Sequence, residues 1–129
     1  MERDARIYVA GHRGMVGSAI CRALGEAGYD RLLTRAHAEL PLDDQAAVED
    51  FFAAERPDYV FLAAAKVGGI HANATHPVDF LYNNIEIQNN VIHSAWEFGA
   101  KKLLYLGSSC IYPRLARQPI QESELLAGP

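Results

Sequence analysis

Ser108 and Cys110 stand two positions apart in the run Leu106-Gly107-Ser108-Ser109-Cys110-Ile111-Tyr112-Pro113. A serine hydroxyl there can donate to a carbonyl oxygen, and a thiolate can take a proton from the carbon beside that carbonyl. The residues alone leave a plainer reading open, because Ser-Ser is common in turns and a lone cysteine is usually buried and inert. A second cluster lies near the amino terminus, Gly11-His12-Arg13-Gly14-Met15-Val16-Gly17. Glycines at this spacing let a backbone bend sharply, approach a pyrophosphate, and bring a helix down onto a sheet. The amides at the helix start then attract the anion. Spacing alone is weak evidence and also suits a structural turn; a strand before it and a helix after it are what point to a dinucleotide.

Sites of this kind that take NAD usually carry an acid at the end of the second strand. Here that place reads Thr34-Arg35-Ala36-His37, with no carboxylate until Glu39. Arg13 and Arg35 can grip an adenosine 2′-phosphate through charge-assisted hydrogen bonds, which favours NADP(H). Two solvated surface arginines are the alternative. In Ala63-Ala64-Ala65-Lys66-Val67-Gly68-Gly69, the small side chains of Ala63 and Ala64 let a cofactor lie close to the backbone, and they suit tight helix–sheet packing equally well. Asn84 falls near the same end of the sheet if its helix opens at Pro77. The histidines His12, His37, His71, His76 and His93 show no ligand spacing, so no metal site is expected. Cys21, between Ile20 and Leu24, reads as a small core residue.

Short apolar runs alternating with helical patterns must position these groups. Strands are expected at 6–10, 31–34, 59–63 and 102–107. Helices are expected over 15–27, with Val16, Ile20 and Leu24 on one side, and from about Asp44 to just before Pro57, with Val48, Phe51 and Phe52 inward. A long helix follows from Pro77 to Phe98, with Leu81, Ile85, Ile92 and Trp96 as its buried side. Residues 108–129 read as loop. The pattern predicts an α/β fold, a Rossmann-type doubly wound parallel sheet that is incomplete, ending after about four or five strands.

Composition bounds the rest. The 129 residues suit one domain, and 50% are apolar, enough for a packed core. A net charge of −4 without a basic cluster argues against nucleic acid or an anionic membrane surface as partner. The longest apolar stretch, Tyr59 to Ala65, is far short of the roughly 20 residues a spanning helix needs. With no leader-like start, a soluble cytoplasmic domain is expected.

Together these pieces resemble the GDP-L-fucose synthase family of NADP-dependent extended short-chain dehydrogenases/reductases. Residues 10–17, 63–70 and 107–113 carry the resemblance, with Gln118-Pro119-Ile120 and Glu122-Ser123-Glu124-Leu125-Leu126 extending it over residues 5–127. It implies conversion of GDP-4-keto-6-deoxy-D-mannose to GDP-L-fucose, by epimerisation at the carbons flanking the ketone and then reduction of the ketone. By resemblance Cys110 is the base that abstracts those protons and Ser108 hydrogen-bonds the keto oxygen. Gly11 to Gly17 bind the cofactor pyrophosphate. The stretch from Arg35 through His37 meets the adenosine end, although His37 and Pro41 depart from the family pattern there. Leu106, Gly107 and Ser109 pass beneath the nicotinamide. The resemblance also implies a GDP-sugar substrate and a homodimer built on long helices, with the Pro77–Phe98 helix as candidate interface.

The family's Tyr-x-x-x-Lys pair, which completes the reduction, is not found after Cys110: Tyr112 is followed at that spacing by Ala116. A histidine acid and a carboxyl-terminal sugar-nucleotide domain are expected further downstream in the family. The chain therefore reads as the amino-terminal portion of the NADP-binding domain, unable to turn over alone and with an exposed sheet edge. The alternatives are a non-catalytic NADP-binding or partner-binding module, or another nucleotide-sugar epimerase or dehydratase, against which the Cys110 thiol argues.

Overall fold

Four of the apolar runs become strands of one sheet. The computed structural model describes residues 1–68, 70–108 and 111–128. Its strands are β1 (Ile7–Ala10), β2 (Leu32–Leu33), β3 (Tyr59–Leu62) and β4 (Lys102–Tyr105). They pair parallel throughout, in the order β2-β1-β3-β4. The helices are α1 (Met15–Glu26), α2 (Gln45–Glu55), α3 (Ile70–Thr75) and α4 (Pro77–Glu97), and a 3-10 turn spans Glu122–Glu124.

Strand alternation splits the core in two. Ile7 and Val9 face α1, packing with Ala5 and Leu24 and against Ile20 and the partly buried Cys21. Tyr8, Ala10, Val60 and Leu62 face the other way, onto Val48, Phe51 and Phe52 of α2 and Val91 and Ala95 of α4. Helices thus cover both faces, the doubly wound arrangement that the alternating runs require. Asp44 caps α2, accepting from the Ala47 amide at 3.1 Å. The helix stops at Glu55 because Arg56 turns into the left-handed region (φ 45°) ahead of Pro57.

Four expectations are corrected. The second and fourth strands are shorter than 31–34 and 102–107, spanning Leu32–Leu33 and Lys102–Tyr105. A six-residue helix, α3, precedes the long one; it is too short to show a helical period in sequence. The buried side of α4 is not Leu81, Ile85, Ile92 and Trp96, which are exposed, Trp96 by 77%. The residues turned inward are Val91, Ser94 and Ala95. Small side chains bring this helix close to β3 and α2, which leaves the bulky ones outside. Along the outer face Val78, Tyr82, Ile85, Asn89, Ile92 and Trp96 recur at steps of four and three, the spacing of a helix–helix seam. β4 ends the sheet among the described residues, with Leu104 and Tyr105 about half exposed. Among those residues no helix is long and apolar enough to cross a membrane.

The amino-terminal end of the sheet is tied by charge. Asp58 accepts from the Arg6 amide at 3.0 Å, and the Lys101 ammonium lies 3.3 Å from Asp58 and 3.5 Å from Glu2. The Arg6 amide and Lys101 hold the Asp58 carboxyl below its usual range. A lowered carboxyl contributes stability that is present above its unfolded value, about 3.9, and is lost as pH falls through the folded value. Asp58→Asn is therefore expected to be less stable than the parent at pH 7, with the gap closing as pH drops below about 4. Urea melts at pH 7 and pH 3 check this; a gap of the same size at both would refute it.

Candidate functional site

The strand order places the site. From β1 the chain moves outward to β2, then returns across β1 to β3 on its other side. In open sheets of this kind ligands bind outside the carboxyl ends of the strands at such a reversal, here those of β1 and β3. The loops after both strands meet there. Gly11 has φ +84°, and a Cβ on it would lie 2.8 Å from the Ala63 carbonyl oxygen and 2.9 Å from the Ala64 nitrogen. A Cβ on Gly17 would lie 2.1 Å from the Gly11 carbonyl oxygen. Only glycine fits either position, so two of the three loop glycines are required by backbone contact.

The loop delivers α1 amino end first. Gly14 caps it without a side-chain bond, and its first turn holds no acidic residue. The opening amides and the positive helix end are thus available to an anion. Around them Arg13 and Gly14 are exposed, His12 is half-buried, and the apolar Met15 and Val16 are turned to solvent.

Charge in the two loops that meet is one-sided. The stretches 11–14 and 63–68 contain no Asp or Glu but carry Arg13 and Lys66, in a chain whose net charge is −4. These stretches are far apart in sequence, and the contact of Gly11 with Ala63 and Ala64 brings them together. An edge so charged suits a ligand with phosphates and disfavours a cationic one.

Behind the β3 loop stands Asn84 of α4. Its Oδ1 accepts from the Lys66 amide at 2.7 Å and its Nδ2 donates to the Lys66 carbonyl at 3.0 Å. This bidentate clamp fixes the loop, and the Lys66 ammonium lies 5.8 Å from the centre of the Phe80 ring. Asn84 is thus at the carboxyl end of the sheet, as its spacing from Pro77 indicated.

Leu106 continues β4 into the same region, its amide donating to the Leu62 carbonyl at 3.3 Å. Gly107 and Ser108 follow, both exposed. The β3–β4 register sets Leu62 opposite Tyr105, so Ala63 and Ala64 lie beside Leu106 and Gly107. Ser109 and Cys110 lie outside the described residues. His37 is exposed beyond β2. Arg35 is turned elsewhere: it donates to Glu55 at 2.6 Å and to the Thr34 carbonyl at 2.9 Å, with its guanidinium 5.2 Å from the centre of the Phe51 ring. Sequence reasoning gave no sign of this, since Arg35 and Glu55 are separated by a whole loop and helix. Among the described residues, no group of three His, Cys, Asp or Glu side chains is placed to hold a metal ion. An open groove of about 550 Å³ between α2 and α4, lined by Gln45, Glu49, Asn90 and Trp96 among others, includes none of the loop residues.

Relatives share this layout. The profile of the NAD dependent epimerase/dehydratase family matches residues 7–129. GDP-L-fucose synthase 1 of Arabidopsis thaliana is 64% identical over 127 residues, 98% of this chain and 39% of that protein. GDP-L-fucose synthase of Escherichia coli (strain K12) is 60% identical over 123 residues, 95% of this chain and 38% of that one. The crystal structure of a GDP-L-fucose synthetase from Naegleria fowleri bound to NADP matches with a TM-score of 0.85 at 30% identity, covering 100% of this chain and 42% of that one. The chain thus spans about 39% of the length of the curated relatives it matches.

Proposed function

We propose a function for a chain that belongs to the NAD dependent epimerase/dehydratase family: it is the amino-terminal portion of the NADP(H)-binding domain of an enzyme that converts GDP-4-keto-6-deoxy-D-mannose to GDP-L-fucose. The observation that carries the reading is the close packing of Gly17 on the Gly11 backbone and of Gly11 on the Ala63–Ala64 backbone at the carboxyl end of the sheet. It stands in a chain 60% identical to a GDP-L-fucose synthase.

The residues fit a dinucleotide. The glycines let the loop backbone pack where a Cβ would strike it, which sets the turn beside the uncapped α1 amides that a pyrophosphate would meet. Arg13 is exposed and takes part of the 2′-phosphate charge; Arg35 takes the rest, with His37 beside it at the adenosine end. Ala63, Ala64, Leu106, Gly107 and Ser109 form the floor under the nicotinamide side. When bound, NADPH supplies the hydride that reduces the ketone. Ser108 donates its hydroxyl proton to the keto oxygen, which stabilises negative charge there as a neighbouring C–H proton leaves. Cys110, as thiolate, accepts that proton, and the Tyr-x-x-x-Lys pair belongs to a further part of such an enzyme.

The substrate is a GDP-sugar, whose diphosphate suits the acid-free edge. The partner is a second copy of the chain, docked along the outer seam of α4, where Val78, Tyr82, Ile85, Ile92 and Trp96 stand exposed. The compartment is the cytoplasm.

Calorimetric titration of the chain with NADPH and with NADH tests the reading, and light scattering on the same sample reads its mass. Saturable binding that prefers NADPH, by at least about tenfold for a charge-paired phosphate, is expected, with a mass twice 14.2 kDa. A folded sample that binds neither nucleotide would defeat the cofactor assignment, and a monomer would remove the seam as an interface.

A further inference from the structure

The Arg35 guanidinium points the wrong way for the role proposed above. β1 and β2 run in register, with Tyr8 opposite Leu33, so the backbone of Arg35 lies beyond the carboxyl end of β2. Its side chain turns back along α2, across the Phe51 ring, to Glu55. Glu55 is the last residue of α2, four positions before β3 begins, and its other carboxylate oxygen pairs with Arg6, just ahead of β1. Both landmarks belong to the amino-terminal end of the sheet, opposite the edge where the cofactor lies.

We infer that Glu55 sets cofactor selectivity by competing with the 2′-phosphate of NADPH for the Arg35 guanidinium. The inference rests on the reading that Arg35 meets that phosphate. Arg6 anchors Glu55 from the other side and keeps the carboxylate in place when Arg35 leaves. The cluster of two guanidiniums and one carboxylate carries a net +1, so Arg35 is half-neutralised at rest and not fully held. The pair is also partly exposed, with 34% and 24% of the two side chains accessible, which keeps its strength within reach of a competing dianion. The Arg35 guanidinium is divided between two acceptors, Nη2 donating to Glu55 and Nη1 to the Thr34 carbonyl. A rotation about the outer torsions of Arg35 therefore frees the guanidinium without moving β2. NADH, which has no 2′-phosphate, gains nothing from that rotation and is indifferent to Glu55.

Titrations of NADPH and NADH into the parent chain, Glu55→Gln, Arg35→Ala and the double variant test this. Glu55→Gln removes the charge and keeps an acceptor for Arg6. It is expected to tighten NADPH about threefold to fivefold, the range of a partly exposed ion pair, and to change NADH by less than about twofold. Arg35→Ala weakens NADPH, and the double variant matches Arg35→Ala, because Glu55 acts only through that arginine. If Glu55→Gln leaves NADPH unchanged or weakens it while Arg35→Ala weakens it, Glu55 does not compete and the inference fails, with the reading of Arg35 intact. If Arg35→Ala leaves NADPH unchanged, the reading of Arg35 falls and the inference with it. Glu55→Asp, which keeps the charge but withdraws it by one methylene, gives a smaller gain in the same direction; it decides the matter if circular dichroism shows Glu55→Gln unfolded.

Discussion

Gly17→Ala is expected to weaken NADPH binding by at least about 100-fold, some 2.7 kcal/mol, while leaving most of the helix content in place. The added Cβ would sit 2.1 Å from the Gly11 carbonyl oxygen, 2.7 Å from its carbon and 3.0 Å from the His12 Cα. All three are backbone atoms, so no side chain can swing away to make room. The helix must rise from β1 or the loop must open, and either movement separates the α1 amides from the Gly11–Ala63 contact that shapes the cradle. Two other glycines calibrate the claim. At Gly14 the Cβ would be 3.3 Å from the Gly11 oxygen, a tight fit relieved by a few tenths of an ångström, so Gly14→Ala is milder. At Gly25, in the same helix, the Cβ meets nothing within 4 Å, so Gly25→Ala keeps binding and gains about 0.5–1 kcal/mol of helix stability. Calorimetry on the three variants, with far-ultraviolet circular dichroism alongside, checks the order. A Gly17→Ala chain binding NADPH within about threefold of the parent would show that the loop geometry does not hold the pyrophosphate.

Gly11, Gly14 and Gly17 were legible in the sequence because their meaning is local: a strand, a bend and a helix start lie within a dozen residues. Val48, Phe51 and Phe52 were legible too, since α2 has one apolar side and one partner face. The long helix shows where such reasoning fails. Leu81, Ile85, Ile92 and Trp96 follow a helical period as well as any core stripe, and bulk favours them for the inside. The sheet instead receives Val91, Ser94 and Ala95, because close approach of helix to strand selects small residues, and a period cannot tell a core stripe from an outward seam. The clamp of Asn84 on Lys66 and the turning of Arg35 onto Glu55 were beyond reach for another reason. They join residues 18 and 20 positions apart across a loop and a helix, and the packing of those elements, which no local period encodes, sets each contact. The acid-free edge is an intermediate case. Every residue of it could be read off the chain, but its parts belong to two separate loops, and their sum acquires meaning once the strand order is known.

Phe52→Ala is expected to cost roughly 3–5 kcal/mol, a large part of the 5–15 kcal/mol that typically holds a domain of this size. The ring is fully buried. It stands edge-on to Tyr8 at 5.9 Å and to Phe51 at 5.6 Å, while Tyr8 and Phe51 lie 4.6 Å apart. Tyr8 belongs to β1, which runs directly into Gly11, and Phe51 is the surface on which Arg35 rests. Emptying the centre of this triad is therefore expected to loosen both ends of the proposed cofactor site along with the core. Phe52→Leu keeps most of the volume and should lose less than about 1.5 kcal/mol. Urea midpoints at constant slope measure both losses. A cost below about 1 kcal/mol for the alanine variant would mean that α2 is not packed as described. The same variants connect stability to binding. A ligand that binds only the folded chain adds about 2.7 kcal/mol at 100 times its dissociation constant, so NADPH at that excess should recover over half of the Phe52→Ala loss if the cradle survives. Recovery in Phe52→Leu but none in Phe52→Ala would place the aromatic triad among the elements that hold the glycine loop in its binding shape.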